Sequence, residues 1–310
     1  MEHVYDCIVI GAGPGGLQAS IYLGRYNRDV LLLDRSGGRT WHARHIENVL
    51  THREISGSEI IERGMEQVRR VNVQIERKKV ISVRKDVLFN VTADDAASYC
   101  SRYVIVSSGV YDILPPLENI FPFLGISYFT CIDCDGYKTT HKKVVVLGDH
   151  LQSVNIALAM KQMFTKDITY IPYRLSLPDS AEEVLEEEGI RLLTAEPVRI
   201  IGAVNMEALE LRSGERVPCE AIMASFGIKL NDEFLSGIVL KKDADGFKYV
   251  VNTSYESSLN GLYIVGPLNT GQDQVIIAAG EGAVAAIDIN KRLLEEDYVK
   301  GQEFVGVRHV

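Results

Sequence analysis

The sequence lacks the long apolar run that a membrane span needs, and its charge is not basic. No stretch of the 310 residues reaches the roughly 18 uninterrupted apolar residues of a transmembrane helix. The net charge of -9 at pH 7 gives no general attraction to nucleic acid or to an anionic membrane. The first residues also lack the basic and apolar stretches of a secretory signal. We therefore expect a cytoplasmic protein with no nucleic-acid or membrane partner.

Cysteine is scarce, which argues against a disulfide scaffold. The chain has 5 cysteines, and Cys131 and Cys134 form a C-x-x-C, a spacing at which two thiols can close a small disulfide. The alternative is half of a zinc site, but zinc takes four ligands and no second C-x-x-C exists. Cys7, Cys100 and Cys219 stand in strand-like apolar contexts that are typical of inert buried cysteine. We predict a redox-active pair and no metal site.

Two segments far apart in the chain have the strand, glycine turn and helix that open a nucleotide-binding unit. Residues 6–11 and 143–148 are each a β-branched run that ends on glycine before a helical pattern. This repetition predicts an α/β protein with two Rossmann-like, three-layer domains. A Pro-Pro turn at residues 112–116 and a polar stretch near residues 241–246 suggest the domain boundaries. We place one domain at 1–113 and 247–310, with a second domain at 117–243 inserted into it.

Residues 11–16 read G-A-G-P-G-G and fit the G-x-G-x-x-G of a dinucleotide-binding loop. Gly11 would make the tight turn, Gly13 would let a pyrophosphate approach the backbone, and Gly16 would let the helix pack on the strand. The helix N-terminus would offer N–H groups to the phosphates. The second strand ends on Asp34, an acceptor for ribose hydroxyls. A plain glycine turn is the alternative, but the strand, glycines, helix and acid agree on a nucleotide site.

Nearly the whole chain resembles the low-molecular-weight thioredoxin reductases, a family of flavoenzymes. Besides the first loop and the C-x-x-C-D-G of residues 131–136, the resemblance rests on Gly37-Gly38, Ile46-Glu47-Asn48, Ser107-Ser108-Gly109, residues 261–266, Gln274-Val275 and residues 278–283. The family implies FAD, a homodimer and a mobile inserted domain. The residues that we assign to FAD on these grounds are Gly11, Gly13, Pro14, Gly16, Asp34, Gly38, Asn48, Gly109, Gly266, Gln274 and Val275.

The same resemblance assigns roles at the cysteine pair. By motif, Cys134 is the thiol next to the flavin and Cys131 is the thiol that attacks the partner's disulfide. Asp135 matches the family's proton-transfer acid, although Asp-Gly is also a common turn and a capping role is the alternative. An acid beside a thiolate leaving group is what thiol–disulfide exchange needs.

The second glycine loop departs from the family's NADPH site. Residues 148–153 read G-D-H-L-Q-S, so His150 stands where a second glycine should be and Asp149 brings negative charge near the expected phosphates. Of the family's basic cluster for the 2′-phosphate only Arg174 remains, and Pro178 replaces a later Arg. Each lost charged hydrogen bond costs about 1.5–3 kcal/mol. The alternative is that NADPH binds in an unusual way.

This pattern resembles the NADPH-independent branches of the family, namely the ferredoxin-dependent flavin thioredoxin reductases and the deeply rooted thioredoxin reductase-like proteins. We therefore predict an enzyme that passes electrons through FAD to the cysteine pair and on to a thioredoxin-like protein, with a ferredoxin-like donor. The alternatives are a flavin-linked dithiol oxidase and a non-catalytic FAD-binding redox sensor. A basic stretch could dock an acidic donor or could be an ordinary solvated face; it comprises Arg69, Arg70, Arg77, Lys78 and Lys79.

Two further features concern the flavin. Pro267 follows Gly266 where the family usually has Asp, so the FAD contact there needs another partner. The C-terminal tail is apolar for a chain end and contains Phe304 and His309. We expect one of these planar side chains, His309 in particular, to cover the flavin ring by stacking. The alternative is a tail that packs on its own domain or frays.

Overall fold

The structure is a computed structural model in which residues 3–299 are described. The strands are β1 (Val4–Ile10), β2 (Val30–Leu33), β3 (Gln74–Glu76), β4 (Val80–Lys85), β5 (Phe89–Ala93), β6 (Ser98–Val106), β7 (Val110–Asp112), β8 (Tyr128–Phe129), β9 (Val144–Gly148), β10 (Ile168–Pro172), β11 (Arg191–Leu192), β12 (Pro197–Gly202), β13 (Met206–Leu211), β14 (Arg216–Pro218), β15 (Ala221–Ser225), β16 (Ile228–Leu230) and β17 (Leu262–Ile264). The helices are α1 (Pro14–Arg25), α2 (Gly57–Arg69), α3 (Ile132–Asp135), α4 (Gln152–Met163), α5 (Asp179–Glu187) and α6 (Val275–Val299), with 3₁₀ turns at Gly136–Thr139 and Glu233–Leu235.

The chain forms two compact units. Among the described residues, the first contains residues 3–43, Ile55–Tyr111 and residues 230–299, and the second contains Arg44–Glu54 and Asp112–Lys229. The chain therefore enters the first unit again at Leu230, earlier than the sequence suggested. Two hydrogen bonds fix the chain to the first unit at this position. The Asn231 side-chain amide donates to the Ser108 backbone carbonyl at 3.0 Å, and the Ser108 hydroxyl donates to the Asn231 backbone carbonyl at 2.6 Å.

The first unit is built on a seven-stranded sheet in the order β3-β2-β1-β6-β5-β4, with β17 also paired to β6. The pairs of β1 with β2 and β6, of β2 with β3, and of β6 with β17 are parallel, whereas β4, β5 and β6 pair antiparallel. The central strands are almost continuously buried, as is typical of parallel sheets covered by helices. Leu17 and Leu23 of α1 pack in one core with Ile289 and Leu293 of α6.

The second unit has a five-stranded parallel sheet in the order β11-β10-β9-β15-β8 and a three-stranded antiparallel sheet, β12-β13-β14. Val146 of β9 and Met160 of α4 lie in one core on the helix side of the parallel sheet. Leu147 packs in a second core with Leu209 of β13. The predicted α/β class with two Rossmann-like units is confirmed.

Three observations qualify the sequence expectations. Helix α6 runs to Val299, and Phe304 and His309 lie outside the described residues. Within residues 3–299 no helix has both the length and the apolar character to cross a membrane. Cys7 and Cys219 are buried as expected, but Cys100 is only half-buried, because its strand β6 becomes fully buried only further along.

Candidate functional site

The first glycine loop has the geometry that its sequence predicts. Gly11 has a φ of +100°, and a Cβ there would overlap the backbone of Ser107. A Cβ at Gly16 would overlap the Gly11 carbonyl oxygen. At Gly13 the nearest protein atom to an added Cβ would be the Ser107 carbonyl oxygen at 3.7 Å, an ordinary van der Waals contact, so the protein itself would tolerate a side chain here. Gly11 and Gly16 are thus required by the protein's own packing, whereas Gly13 leaves room for a ligand.

Asp34 has a structural role that sequence reasoning missed. One carboxylate oxygen accepts the Ala12 N–H at 2.9 Å and the other accepts the Ser36 N–H at 2.8 Å. The acid at the end of β2 therefore ties its own loop to the glycine loop after β1. It remains partly exposed, and each carboxylate oxygen has a second acceptor site.

The predicted cofactor residues of the first unit gather at one edge of its sheet. The residues Gly11, Asp34, Gly109 and Gly266 follow the carboxyl ends of β1, β2, β6 and β17. Ligands of open α/β sheets bind at this edge. Gly38 and Gly109 face open space, whereas Asn48 belongs to the second unit.

A buried carboxylate organises the turn that contains Pro267. Glu281 of α6 is 3% exposed and accepts the Gly266 N–H at 2.5 Å and the Asn269 side-chain amide at 2.9 Å. Burial raises the pKa of Glu281 above its ordinary value, and the two hydrogen bonds offset part of that rise. Asn269 in turn accepts the Gly271 N–H at 2.6 Å. The sequence holds a signal for this network, because Glu281 is a single charged residue among the small residues of 278–283.

Cys131 and Cys134 form a disulfide, with their Cα atoms 5.3 Å apart. Cys131 is the N-cap of α3, and its Sγ accepts the Cys134 backbone N–H at 3.2 Å. The local fold therefore distinguishes the two cysteines, because this hydrogen bond ties the Cys131 sulfur to the first turn of α3.

Gly136 packs the cysteine motif against the end of helix α4 in the same unit. A Cβ at this position would lie 2.5 Å from the ring of Phe164, the residue that ends α4. The Thr139 hydroxyl donates to the Gly136 carbonyl at 2.6 Å and closes the turn after the motif. The glycine after Asp135 is thus required by close packing.

Charged side chains surround Asp135. Its carboxylate lies 3.0 Å from the Lys138 ammonium, which also lies 3.5 Å from a Glu47 oxygen and 3.5 Å from the His45 carbonyl oxygen. Burial raises the pKa of Asp135, and Lys138 opposes that rise. A hydrogen bond from Tyr137 lowers the pKa of Glu47. Sequence reasoning found Asp135 but not Lys138 or Glu47 as its neighbours.

The second glycine loop makes several hydrogen bonds through its own side chains. The Ser153 hydroxyl donates to the His150 carbonyl at 2.5 Å and lies 2.7 Å from the buried Tyr170 hydroxyl. The His150 ring lies 3.2 Å from the Ser225 hydroxyl. The Ser153 N–H at the start of α4 points back to the His150 carbonyl at 3.0 Å. This amide is therefore not directed at a phosphate.

Arg174, which remains from the family's basic cluster for the NADPH 2′-phosphate, is already paired. It lies 3.2 Å from Glu196, whose carboxylate also binds Arg212 at 2.5 Å. Hydrogen bonds from Arg212 and then Arg174 lower the pKa of Glu196 to about 2. The Arg174 guanidinium lies over the Tyr173 ring, and that ring packs edge-on against Phe226 with the centroids 5.5 Å apart.

The basic stretch proposed for docking is partly neutralised within the fold. Lys78 pairs with Glu76 at 3.0 Å and Asp95 at 2.9 Å, and Arg77 donates to the Ser36 hydroxyl at 2.9 Å.

No group of three His, Cys, Asp or Glu side chains in the described part of the chain is placed to hold a metal ion.

Two glycine-turn units and a C-x-x-C disulfide on a parallel α/β fold define a nucleotide-binding disulfide oxidoreductase. The chain belongs to the pyridine nucleotide-disulphide oxidoreductase family, whose model matches residues 5–282. It is a flavoprotein disulfide oxidoreductase of the thioredoxin reductase type.

The chain is also similar in sequence and in structure to individual proteins. The chain is 28% identical to a thioredoxin reductase of Mycolicibacterium smegmatis, over 96% of this chain and 99% of that protein. It is also 28% identical to a thioredoxin reductase of Treponema pallidum, over 92% of this chain and 96% of that protein. The crystal structure of HlmI superimposes with a TM-score of 0.90 at 25% identity, over 97% of this chain and 96% of HlmI.

Proposed function

We propose that this protein uses FAD to reduce its Cys131–Cys134 disulfide, and that the resulting dithiol reduces a thioredoxin-like protein with electrons from a donor other than NADPH. The observation that carries the proposal is the disulfide at the start of α3, in which Cys131 accepts the Cys134 N–H. The M. smegmatis relative is named a thioredoxin reductase, which supports the class of acceptor.

The residues of the first unit fit FAD. A Cβ at Gly13 would not clash with the protein, and no side chain caps the helix start at this residue, as a pyrophosphate site requires. Asp34 keeps acceptor sites for ribose hydroxyls, and Glu281 holds the Gly266 turn where Pro267 removes the family's usual acid. FAD, when bound, would supply the two electrons that open the disulfide.

The chain's own thiols then carry out the exchange. The Cys131 thiolate attacks one sulfur of the acceptor disulfide, so that a mixed disulfide forms and the other acceptor sulfur leaves as a thiolate. The Cys134 thiol loses its proton to Asp135 and attacks Cys131, which restores the internal disulfide and releases the second acceptor thiolate. The two acceptor thiolates take up one proton from Asp135 and one from water. The acceptor is reduced by two electrons and the cysteine pair is oxidised by two.

The second unit supports a donor other than NADPH. His150 and Ser153 are hydrogen-bonded within the protein at the loop that would bind the pyrophosphate, and Arg174 is already paired with Glu196. A cofactor phosphate would have to compete with that carboxylate. A flavin can accept electrons one at a time and deliver two, which suits a ferredoxin-like donor.

We also propose a homodimer, on the basis of α6. Its large exposed apolar side chains fall within about 80° of the helix circumference, at 100° per residue. They are Ile276, Val284, Ile287, Leu294 and the ring of Tyr298. An apolar stripe of this kind on a helix marks a surface that a protein partner can cover. Sedimentation equilibrium of the parent and of Ile287→Glu tests this proposal, and a monomeric parent would contradict it.

One anaerobic experiment tests the donor and the acceptor together. Purified protein with bound FAD is mixed separately with reduced ferredoxin and with NADPH, and the loss of flavin absorbance is followed. We expect rapid loss with ferredoxin and none with NADPH, and then continuous reduction of a thioredoxin. Rapid bleaching by NADPH would refute the donor proposal. A single turnover would indicate a redox sensor. A parallel sample in air serves as the comparison, and turnover in that sample alone would indicate a dithiol oxidase.

A further inference from the structure

We propose that Lys138 is a positioning residue that holds the Asp135 carboxylate beside the cysteine pair and keeps it ready to accept the Cys134 proton at neutral pH. The inference deepens the proposed function and rests on it for the role of Asp135. Lys138 lies outside the C-x-x-C-D-G motif.

The geometry of Lys138 is that of a fixed side chain. Its ammonium lies 3.0 Å from Asp135, 3.5 Å from Glu47 and 3.5 Å from the His45 carbonyl oxygen, and only 16% of its side chain is exposed. Three acceptors on two separate segments use the three donors of the ammonium group. The aliphatic stem of a lysine has many rotamers, so these contacts restrict a group that would otherwise move freely. Lys138 therefore links the end of α3 to the segment Arg44–Glu54.

The charges around Asp135 give Lys138 a specific effect. The groups that act on Asp135 are Lys138 after α3 and Glu47 and His45 from the segment Arg44–Glu54. His45 contacts Glu54, and Tyr137 hydrogen-bonds Glu47. Asp135 and Glu47 are thus two carboxylates beside one ammonium. Without that ammonium, burial and Glu47 would both favour the protonated form of Asp135.

This environment bears on one step of the exchange. When Cys134 attacks Cys131 in the mixed disulfide, the Cys134 S–H bond breaks and its proton goes to the Asp135 carboxylate. The new Cys131–Cys134 bond forms as the Cys131–acceptor bond breaks. A carboxylate that is already protonated cannot take this proton, so the second step slows as the pH falls through the pKa of Asp135.

The test is a single turnover that needs neither the electron donor nor thioredoxin. The FAD-loaded protein is reduced with dithiothreitol, desalted anaerobically, and mixed with the aromatic disulfide DTNB across a pH series. The first equivalent of released thiolate reports attack by Cys131, and the second reports closure by Cys134. All variants are made in the Cys100→Ser protein, because Cys100 is half-buried and its thiol would add to the signal if DTNB reached it. Cys219 is buried, and burial raises its pKa to about 12.

We expect the rate of release of the second thiolate to fall at low pH in the parent. Lys138→Gln should move this fall to higher pH, so that the rate at the acid end of the series drops about tenfold relative to the rate at pH 8. Lys138→Arg should restore the parent profile, and Asp135→Asn should abolish the fall at low pH. Lys161→Gln is the matched control, because the Lys161 ammonium pairs with a different carboxylate, that of Glu188, at 3.2 Å. A Lys138→Gln profile that overlays the parent would overturn the inference, as would equal slowing at every pH. A parent that closes its disulfide with DTNB but fails to reduce thioredoxin would instead contradict the proposed function.

Discussion

The two glycines at the helix start of the first loop predict opposite outcomes for the same substitution. Gly13 has a φ of -70° and a ψ of 174°, which any residue can adopt, and an added Cβ would meet nothing closer than 3.7 Å. At Gly16 the added Cβ would overlap the Gly11 carbonyl oxygen. We therefore expect Gly13→Ala to affect flavin binding and Gly16→Ala to affect folding.

The magnitudes follow from these environments. At Gly13 the loss of unfolded-state entropy stabilises the variant by about 0.4–1 kcal/mol, and a poorer N-cap costs a similar amount. The stability of that apoprotein should therefore stay within about 0.5 kcal/mol of the parent. At Gly16 the clash is with backbone that is held in place, since the Gly11 N–H donates to the Leu33 carbonyl at 2.8 Å. Overpacking of this kind costs about 1–3 kcal/mol or more.

The assay separates folding from binding. Urea unfolding of each apoprotein gives its stability, and titration with FAD, followed by flavin fluorescence, gives the affinity. A methyl group in the space for the pyrophosphate should cost about 1–3 kcal/mol, or 5- to 150-fold in affinity for Gly13→Ala. If Gly13→Ala bound FAD as tightly as the parent, Gly13 would not lie at the pyrophosphate site.

Three further outcomes are expected. Millimolar NADPH should leave the flavin absorbance unchanged under anaerobic conditions, and bleaching within seconds would show that the second loop can bind it. Cys134→Ser should trap a mixed disulfide between Cys131 and thioredoxin, whereas Cys131→Ser should not; mass spectrometry of the non-reduced adducts decides this, and the reverse result would exchange the two roles. Glu281→Ala should leave two buried donors without an acceptor and lower the free energy of unfolding by about 2–6 kcal/mol. A loss below about 0.5 kcal/mol in urea unfolding would show that water replaces that carboxylate.

Features that depend on neighbours in the chain could be predicted from the sequence. The first loop needs its glycines because a strand, a tight turn and a helix follow one another within a few residues. The C-x-x-C spacing places both sulfurs on one short turn, and the disulfide of Cys131 with Cys134 follows directly. The α/β class was predictable for the same reason, since β-branched runs and glycine turns are local signals.

Only the tertiary structure showed the contacts between distant segments. Glu47 and Lys138 are far apart in sequence, and nothing near either residue indicates that both meet at Asp135. The chain re-enters the first unit at Leu230 because Asn231 bonds to Ser108, a partner more than a hundred residues earlier. Hydrogen bonds and ion pairs of this kind depend on where the folded chain brings two segments together. Sequence alone therefore identified the cysteine pair that forms the disulfide, and the fold determined the charges near it.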